Sequence, residues 1–195
     1  LKVEINNESE EEGYIIAGSI RIGGKAGMIS RASTLYPHAG WQISARYFAE
    51  LIGAPEDVIR SDLSERTRDI TVRPVMAEWI GADLYFSLHT NAIASSSHKE
   101  GLRGYGTSSF IYNNGATSGS ADYQESLHKR LINEIRNNYQ SDWRDRGKKS
   151  ANFGELRLLK SMPGMLVELA FHDTEEPDGK ALYSPKFRDI AARGI

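Results

Sequence analysis

One run along this chain is apolar and aromatic and then stops abruptly in polar residues: Ala82-Asp83-Leu84-Tyr85-Phe86-Ser87-Leu88-His89-Thr90-Asn91-Ala92. A run of that kind predicts a buried strand. A second run, Met165-Leu166-Val167-Glu168-Leu169-Ala170-Phe171, has the same character and is broken only by Glu168. Residues 105–112 predict a further strand. Elsewhere the period changes. Ile43, Tyr47, Phe48, Leu51 and Ile52 recur at helical spacing, and Gly53-Ala54-Pro55 stops that helix. Residues 72–80 predict a helix with Val75, Met76, Trp79 and Ile80 facing inward and Gly81 at its end.

Tyr123, Leu127, Leu131, Ile132 and Ile135 stripe a long amphipathic helix, with Ser120 or Asp122 as its cap. His128 falls beside that stripe and reads as a surface or boundary residue. The last helix spans 183–195. Ser184 caps it, Pro185 suits its first turn, and Phe187, Ile190 and Ala191 face inward. Weaker patterns fill the rest. Residues 14–22 read as one strand and 23–27 as a glycine-rich turn. Residues 58–69 read as an extended piece and a charged loop, 93–104 and 144–153 as loops, and 156–159 as a short strand or turn. A helix that feeds directly into an apolar strand is the rhythm of a mostly parallel sheet. The expected fold is α/β: a mostly parallel twisted sheet with helices on both faces, in a single domain over residues 1–195.

Composition narrows the function. A formal charge of −2 argues against a nucleic-acid surface, which is normally basic. No apolar run approaches the roughly 20 residues that span a bilayer. There is no cysteine, so any metal is held by His, Asp or Glu. The start at Leu1 rather than Met suggests a chain trimmed at one or both ends.

Two residues stand out chemically. His89 sits where a strand leaves the sheet, and in open α/β sheets ligands collect at such ends. A lone histidine there is more often a satisfied structural residue. Glu168 adds weight to the functional reading, because a carboxylate in a buried run costs several kcal/mol unless paired, protonated or beside a metal. His38 lies in a loop just before the first helix. His98 and His172 are weaker candidates.

These pieces together resemble the zinc-dependent N-acetylmuramoyl-L-alanine amidases, which cleave peptidoglycan. The resemblance rests on Arg68-Asp69, Arg73, Gly81-Ala82-Asp83 and Ser87-Leu88-His89-Thr90-Asn91-Ala92. It continues in Arg146-Gly147, Asn152-Phe153, Pro163-Gly164-Met165-Leu166-Val167-Glu168-Leu169-Ala170-Phe171 and Leu182-Tyr183-Ser184-Pro185. Ala170 stands where the family has glycine, and the family's Gly-His-Gly-Gly stretch is not visible. The resemblance implies a Zn2+ cofactor, His89 as a zinc ligand and Glu168 as the catalytic acid–base. His38 falls near the family's glutamate ligand. It replaces that glutamate, or is a displaced first ligand, or binds nothing.

Asn91 and Arg73 are expected to contact substrate. The loops at 93–104 and 144–150 are expected to wall a groove, where basic residues meet peptide carboxylates. The implied reaction is hydrolysis of the amide between N-acetylmuramic acid and L-alanine, outside the cytoplasm, by a monomer. Another zinc peptidase or amidohydrolase, or a non-catalytic wall-binding relative, are the competing readings.

Overall fold

The computed structural model describes residues 44–59, 63, 65–93 and 104–195. The expected strand at 14–22, the turn at 23–27, His38, His98 and most of the 93–104 loop lie outside them. Contacts divide the chain into two compact units, Leu1–Met76 and Ala77–Ile195.

In the first unit, α1 (Ala45–Leu51) matches the expected helix, and Gly53 beyond it has a φ of 80°. A short turn of helix, α2 (Glu56–Ile59), takes in residues 58 and 59, where an extended piece was expected to begin. Helix α3 (Glu65–Trp79) begins well before residue 72, within the expected charged loop. Its first turns carry Glu65, Arg66, Arg68 and Asp69, so they show no apolar period. Glu and Arg are nevertheless good helix formers. Ala49, Ala54, Val58 and Val72 form this unit's core. Asp69 accepts from the Ser44 hydroxyl at 2.5 Å and from Arg73 Nη2 at 3.2 Å. Burial alone would raise the Asp69 pKa, but these donors and the Arg46 amide hold it below the usual carboxylate value.

The second unit holds the last turn of α3 and one four-stranded sheet. Its strands are β1 (Tyr85–Asn91), β2 (Thr107–Tyr112), β3 (Asp145–Ala151) and β4 (Gly164–Phe171), in the order β1-β4-β2-β3. The pairs β1–β4 and β2–β3 are parallel, whereas β2–β4 is antiparallel. The sheet is therefore mostly parallel, as expected. Strand β4 is central and the most buried, which is why its sequence reads as a near-continuous apolar run.

Residues two apart on a strand face the same way. Met165, Val167 and Leu169 join the core formed with α4 (Ser120–Asn138) and α6 (Pro185–Gly194). Phe187 sits in that core with Trp143 and Tyr139, each 5.0 Å away ring to ring. Leu166 belongs to the other face, where Ala77, Tyr85, Leu156 and Met162 cover the sheet. Trp79 and Ile80 are 44% and 60% exposed, so the expected inner face of that helix is wrong at its end.

Three further expectations change. Residues 145–151 form edge strand β3 rather than a loop. It carries DRGKKSA, with no apolar alternation to betray it, and charges on an edge strand discourage pairing with other chains. The residue capping α4 is Gly119, with φ 80°, and neither Ser120 nor Asp122 caps it. Ser120 instead turns inward and accepts the Gly164 amide at 3.0 Å. His128 is buried, and its Nε2 lies 2.8 Å from Asp145 Oδ1. The terminal helix is as expected: Ser184 accepts from the Phe187 amide, and a short α5 (Lys180–Tyr183) precedes it.

Candidate active site

The site is built from strand register. His89 on β1 pairs with Glu168 on β4, and Glu168 pairs with Ser108 on β2. Residues paired directly across a sheet project from the same face. The imidazole, the carboxylate and the hydroxyl thus form a row across three strands. The register of β1 and β4 shifts just beyond His89, where Asn91 pairs with Phe171. Irregularities of this kind re-aim side chains at functional positions.

The strand ends are tied together behind this row. The His172 amide donates to the Asn91 carbonyl at 3.0 Å, Thr90 Oγ1 lies 3.0 Å from His172 Nδ1, and the Ile93 amide donates to Asp173 Oδ2 at 2.8 Å. Asn91, expected to touch substrate, accepts the Ala92 amide at 2.8 Å through its side-chain oxygen. His172 is occupied in this tie.

A second acid meets the row from the 152–163 loop. Glu155 is only 8% exposed, and its Oε1 lies 3.7 Å from His89 Nε2. The same nitrogen lies 2.9 Å from Ser87 Oγ. The loop is well held. Glu78 accepts from the Lys160 and Ser161 amides at 2.7 and 3.1 Å and from the Ser161 hydroxyl at 2.6 Å. Thr117 Oγ1 donates to the Met162 carbonyl at 2.6 Å. Phe153 packs edge-on against Phe110, with centroids 5.0 Å apart. Glu155 carries no sequence signal comparable to Glu168. Its nearest hint is a charged residue in Phe153-Gly154-Glu155-Leu156, which a turn also explains.

Glu168 is where the electrostatics concentrate. Burial raises its pKa, the nearby charge of Glu155 raises it further, and it reaches about 7. Its Oε2 is buried with no hydrogen-bond partner among the described residues. The Ser108 hydroxyl beside it is buried and equally unpartnered. A carboxyl poised near neutrality can both accept and release a proton at physiological pH. An imidazole beside two crowded carboxyls is also the hard nitrogen and oxygen donor chemistry that suits a divalent cation. Among the described residues no three His, Asp or Glu side chains stand close enough to hold a metal by themselves. Arg73 is bonded to Asp69 within the first unit.

An imidazole and an acid on adjacent strands of an α/β sheet, with a second acid from a loop, make a site suited to acid–base work on a polar bond. The family model described as N-acetylmuramoyl-L-alanine amidase, Amidase_3, matches residues 41–195, and the chain belongs to this family. The amidase CwlM of Bacillus licheniformis is 34% identical over 137 residues, which is 70% of this chain and 47% of that protein. The sporulation-specific N-acetylmuramoyl-L-alanine amidase of Bacillus subtilis (strain 168) is 34% identical over 114 residues, covering 58% of this chain and 38% of that protein. The chain thus spans less than half the length of these curated relatives.

Among solved structures, an N-acetylmuramoyl-L-alanine amidase from Clostridium difficile 630 superposes with a TM-score of 0.54 at 28% identity, covering 63% of this chain and 59% of that one. The catalytic domain of CwlV from Bacillus (Paenibacillus) polymyxa var. colistinus gives 0.52 at 24% identity, over 65% of this chain and 60% of that one, and speaks for the fold alone.

Proposed function

We propose that this chain hydrolyses the amide between N-acetylmuramic acid and L-alanine in peptidoglycan, outside the cytoplasm, with zinc as cofactor. The observation that carries the proposal is the pairing of His89 with Glu168 across adjacent strands, with Glu155 close to both. His89 and Glu155 are the described side chains placed to hold the ion. His38 remains the proposal for a further ligand, outside the described residues. When bound, zinc lowers the pKa of a water molecule and polarises the amide carbonyl.

The chain's own residues do the proton work. Glu168 takes a proton from the attacking water and returns it to the leaving amine. A carboxyl with a pKa near 7 is matched to that shuttle, because neither transfer is strongly uphill. Ser87 Oγ lies 2.9 Å from His89 Nε2 and limits how the ring can turn. Asn91 is proposed to contact substrate through its amide nitrogen, since its side-chain oxygen is engaged by Ala92. Arg73 is proposed to contact substrate, as the family resemblance implies.

Digestion of purified muropeptides, followed by mass spectrometry, tests the reading. Release of intact stem peptides from the glycan is the expected result. Cleavage inside the peptide would make the chain a peptidase instead. No cleavage, together with retained wall binding, would make it a binding relative.

A further inference from the structure

We propose that Arg146, flanked by Arg144 and Lys149, forms a subsite for a free carboxylate of the substrate peptide; the inference rests on the amidase reading above. The geometry begins at an irregularity in β3. Asp145 pairs with Thr107 and Lys148 pairs with Ser109, so Arg146 and Gly147 together stand opposite Ser108. Gly147 has a φ of 83°, which favours glycine, and it absorbs the extra residue. Ser108 is the partner of Glu168, and Glu168 is the partner of His89. Arg146 therefore extends the row of site residues onto a fourth strand, while the Asp145 carboxylate is bound to His128 beneath α4.

Three cations gather here, and the nearby carboxylate whose charge Arg146 acts on, Asp178, forms no ion pair with them among the described residues. The Arg146 guanidinium lies 4.9 Å from the Phe171 ring centre, that of Arg144 lies 4.7 Å from Tyr105, and Lys149 Nζ lies 5.7 Å from Phe110. Burial first, and then the charges of Arg146 and Arg144, lower the pKa of Lys149, so the three are close enough to repel. None of them is ion-paired with a carboxylate among the described residues. Asp178 feels the Arg146 charge; its Oδ2 is engaged by the Gly106 and Phe171 amides at 2.8 and 2.7 Å, and its buried Oδ1 has no hydrogen-bond partner among the described residues.

Among the described residues, Arg146 Nη1 reaches only the Tyr105 carbonyl, at 3.5 Å, and its Nε is buried with no partner. Edge-strand protection accounts for exposed lysines such as Lys148, which pairs with Glu125. It does not account for a half-buried arginine with an unsatisfied donor. The guanidinium's remaining N–H groups offer a carboxylate the forked geometry arginine favours.

Spacing sets the substrate class. Two strand steps separate β4 from β3, which is roughly 10 Å. An extended peptide covers about 3.3–3.6 Å per residue. The carboxylate in question thus belongs to an acidic peptide, about two or three residues beyond the cleaved bond.

The test compares muropeptides with free peptide carboxylates against the same muropeptides after chemical amidation. Hydrolysis and calorimetric binding are both followed, in wild type and in Arg146→Gln, Arg146→Lys and Lys149→Gln. The expected result is a wild-type preference of at least tenfold for the free acid, expressed mainly in KM. That preference should collapse in Arg146→Gln, return in part in Arg146→Lys and weaken in Lys149→Gln, which sits at an exposed position. An unchanged preference in Arg146→Gln and Lys149→Gln, or no preference in wild type by either readout, overturns the subsite. If wild type hydrolyses neither substrate yet binds the free acid in an Arg146-dependent way, the subsite stands and the amidase reading falls.

Discussion

At the scale of single residues, Glu168 is the proposed proton shuttle, and its environment makes two predictions. Glu168→Gln keeps the shape and removes the proton shuttle. Hydrolysis of muropeptides should fall by about 10²- to 10⁴-fold, with zinc content by elemental analysis retained. Undiminished turnover in that variant would remove Glu168 from the mechanism. His89→Ala should instead lose bound zinc along with activity.

The second prediction concerns pH. The folded-state pKa of Glu168 lies near 7, above its ordinary value of 4.5, because of burial and of Glu155. The folded state then binds more protons than the unfolded state between those values, so this group's contribution to stability falls as pH rises from about 4.5 to 7. In chelator-treated protein, Glu168→Gln should show a smaller loss of Tm over that window than wild type. Added zinc should oppose the wild-type loss, since a nearby cation favours the ionised carboxylate. Parallel melting profiles for the two proteins would contradict the assignment.

Between residues and the whole lie the elements, and here legibility followed burial pattern. Strands β1 and β4 and helices α4 and α6 were readable, because burial leaves an apolar run or stripe in the sequence. Strand β3 was not. It lies at an edge, carries DRGKKSA, and owes its place to pairing with β2 and to the contacts of its polar side chains. His128 was misplaced for a related reason. One polar residue beside an apolar stripe looks like a boundary, and only the strand opposite shows that its partner, Asp145, is in reach.

That pair should matter for holding β3 to α4. Asp145→Ala strips the buried imidazole of its acceptor and should destabilise the protein by about 1–3 kcal/mol in urea unfolding. A change within a few tenths of a kcal/mol would show the contact to be incidental. Burial pushes the Asp145 pKa up, but the His128 hydrogen bond, the Gly147 amide and Arg136 bring it below the ordinary value of 3.8. Its contribution is therefore present above that value and is lost as pH falls through the folded pKa.

For the molecule as a whole, one face of the sheet packs against α4 and α6, and the other carries a smaller apolar core together with the candidate site. The stabilising face packs α4 and α6 against β4 around Phe187, Trp143, Leu131 and Ile135, all essentially inaccessible. Phe187→Ala should cost about 3–5 kcal/mol and lower Tm, while leaving the pH dependence of hydrolysis unaltered in the protein that remains folded. The opposite face places His89, Glu168 and Ser108 in one row. Single motifs announced His89 and Glu168. The row itself was not legible, because register between distant strands is set by packing and leaves no trace in local spacing. Glu155 was missed for the same reason, as its loop reaches the site only through contacts made elsewhere.

Anomalous diffraction at the zinc edge from zinc-soaked crystals addresses the central claim directly. The account predicts one strong peak within bonding distance of the His89 ring, with the Glu168 carboxyl facing it across the β1–β4 pair. A peak remote from both side chains, or none at saturating zinc, would contradict it.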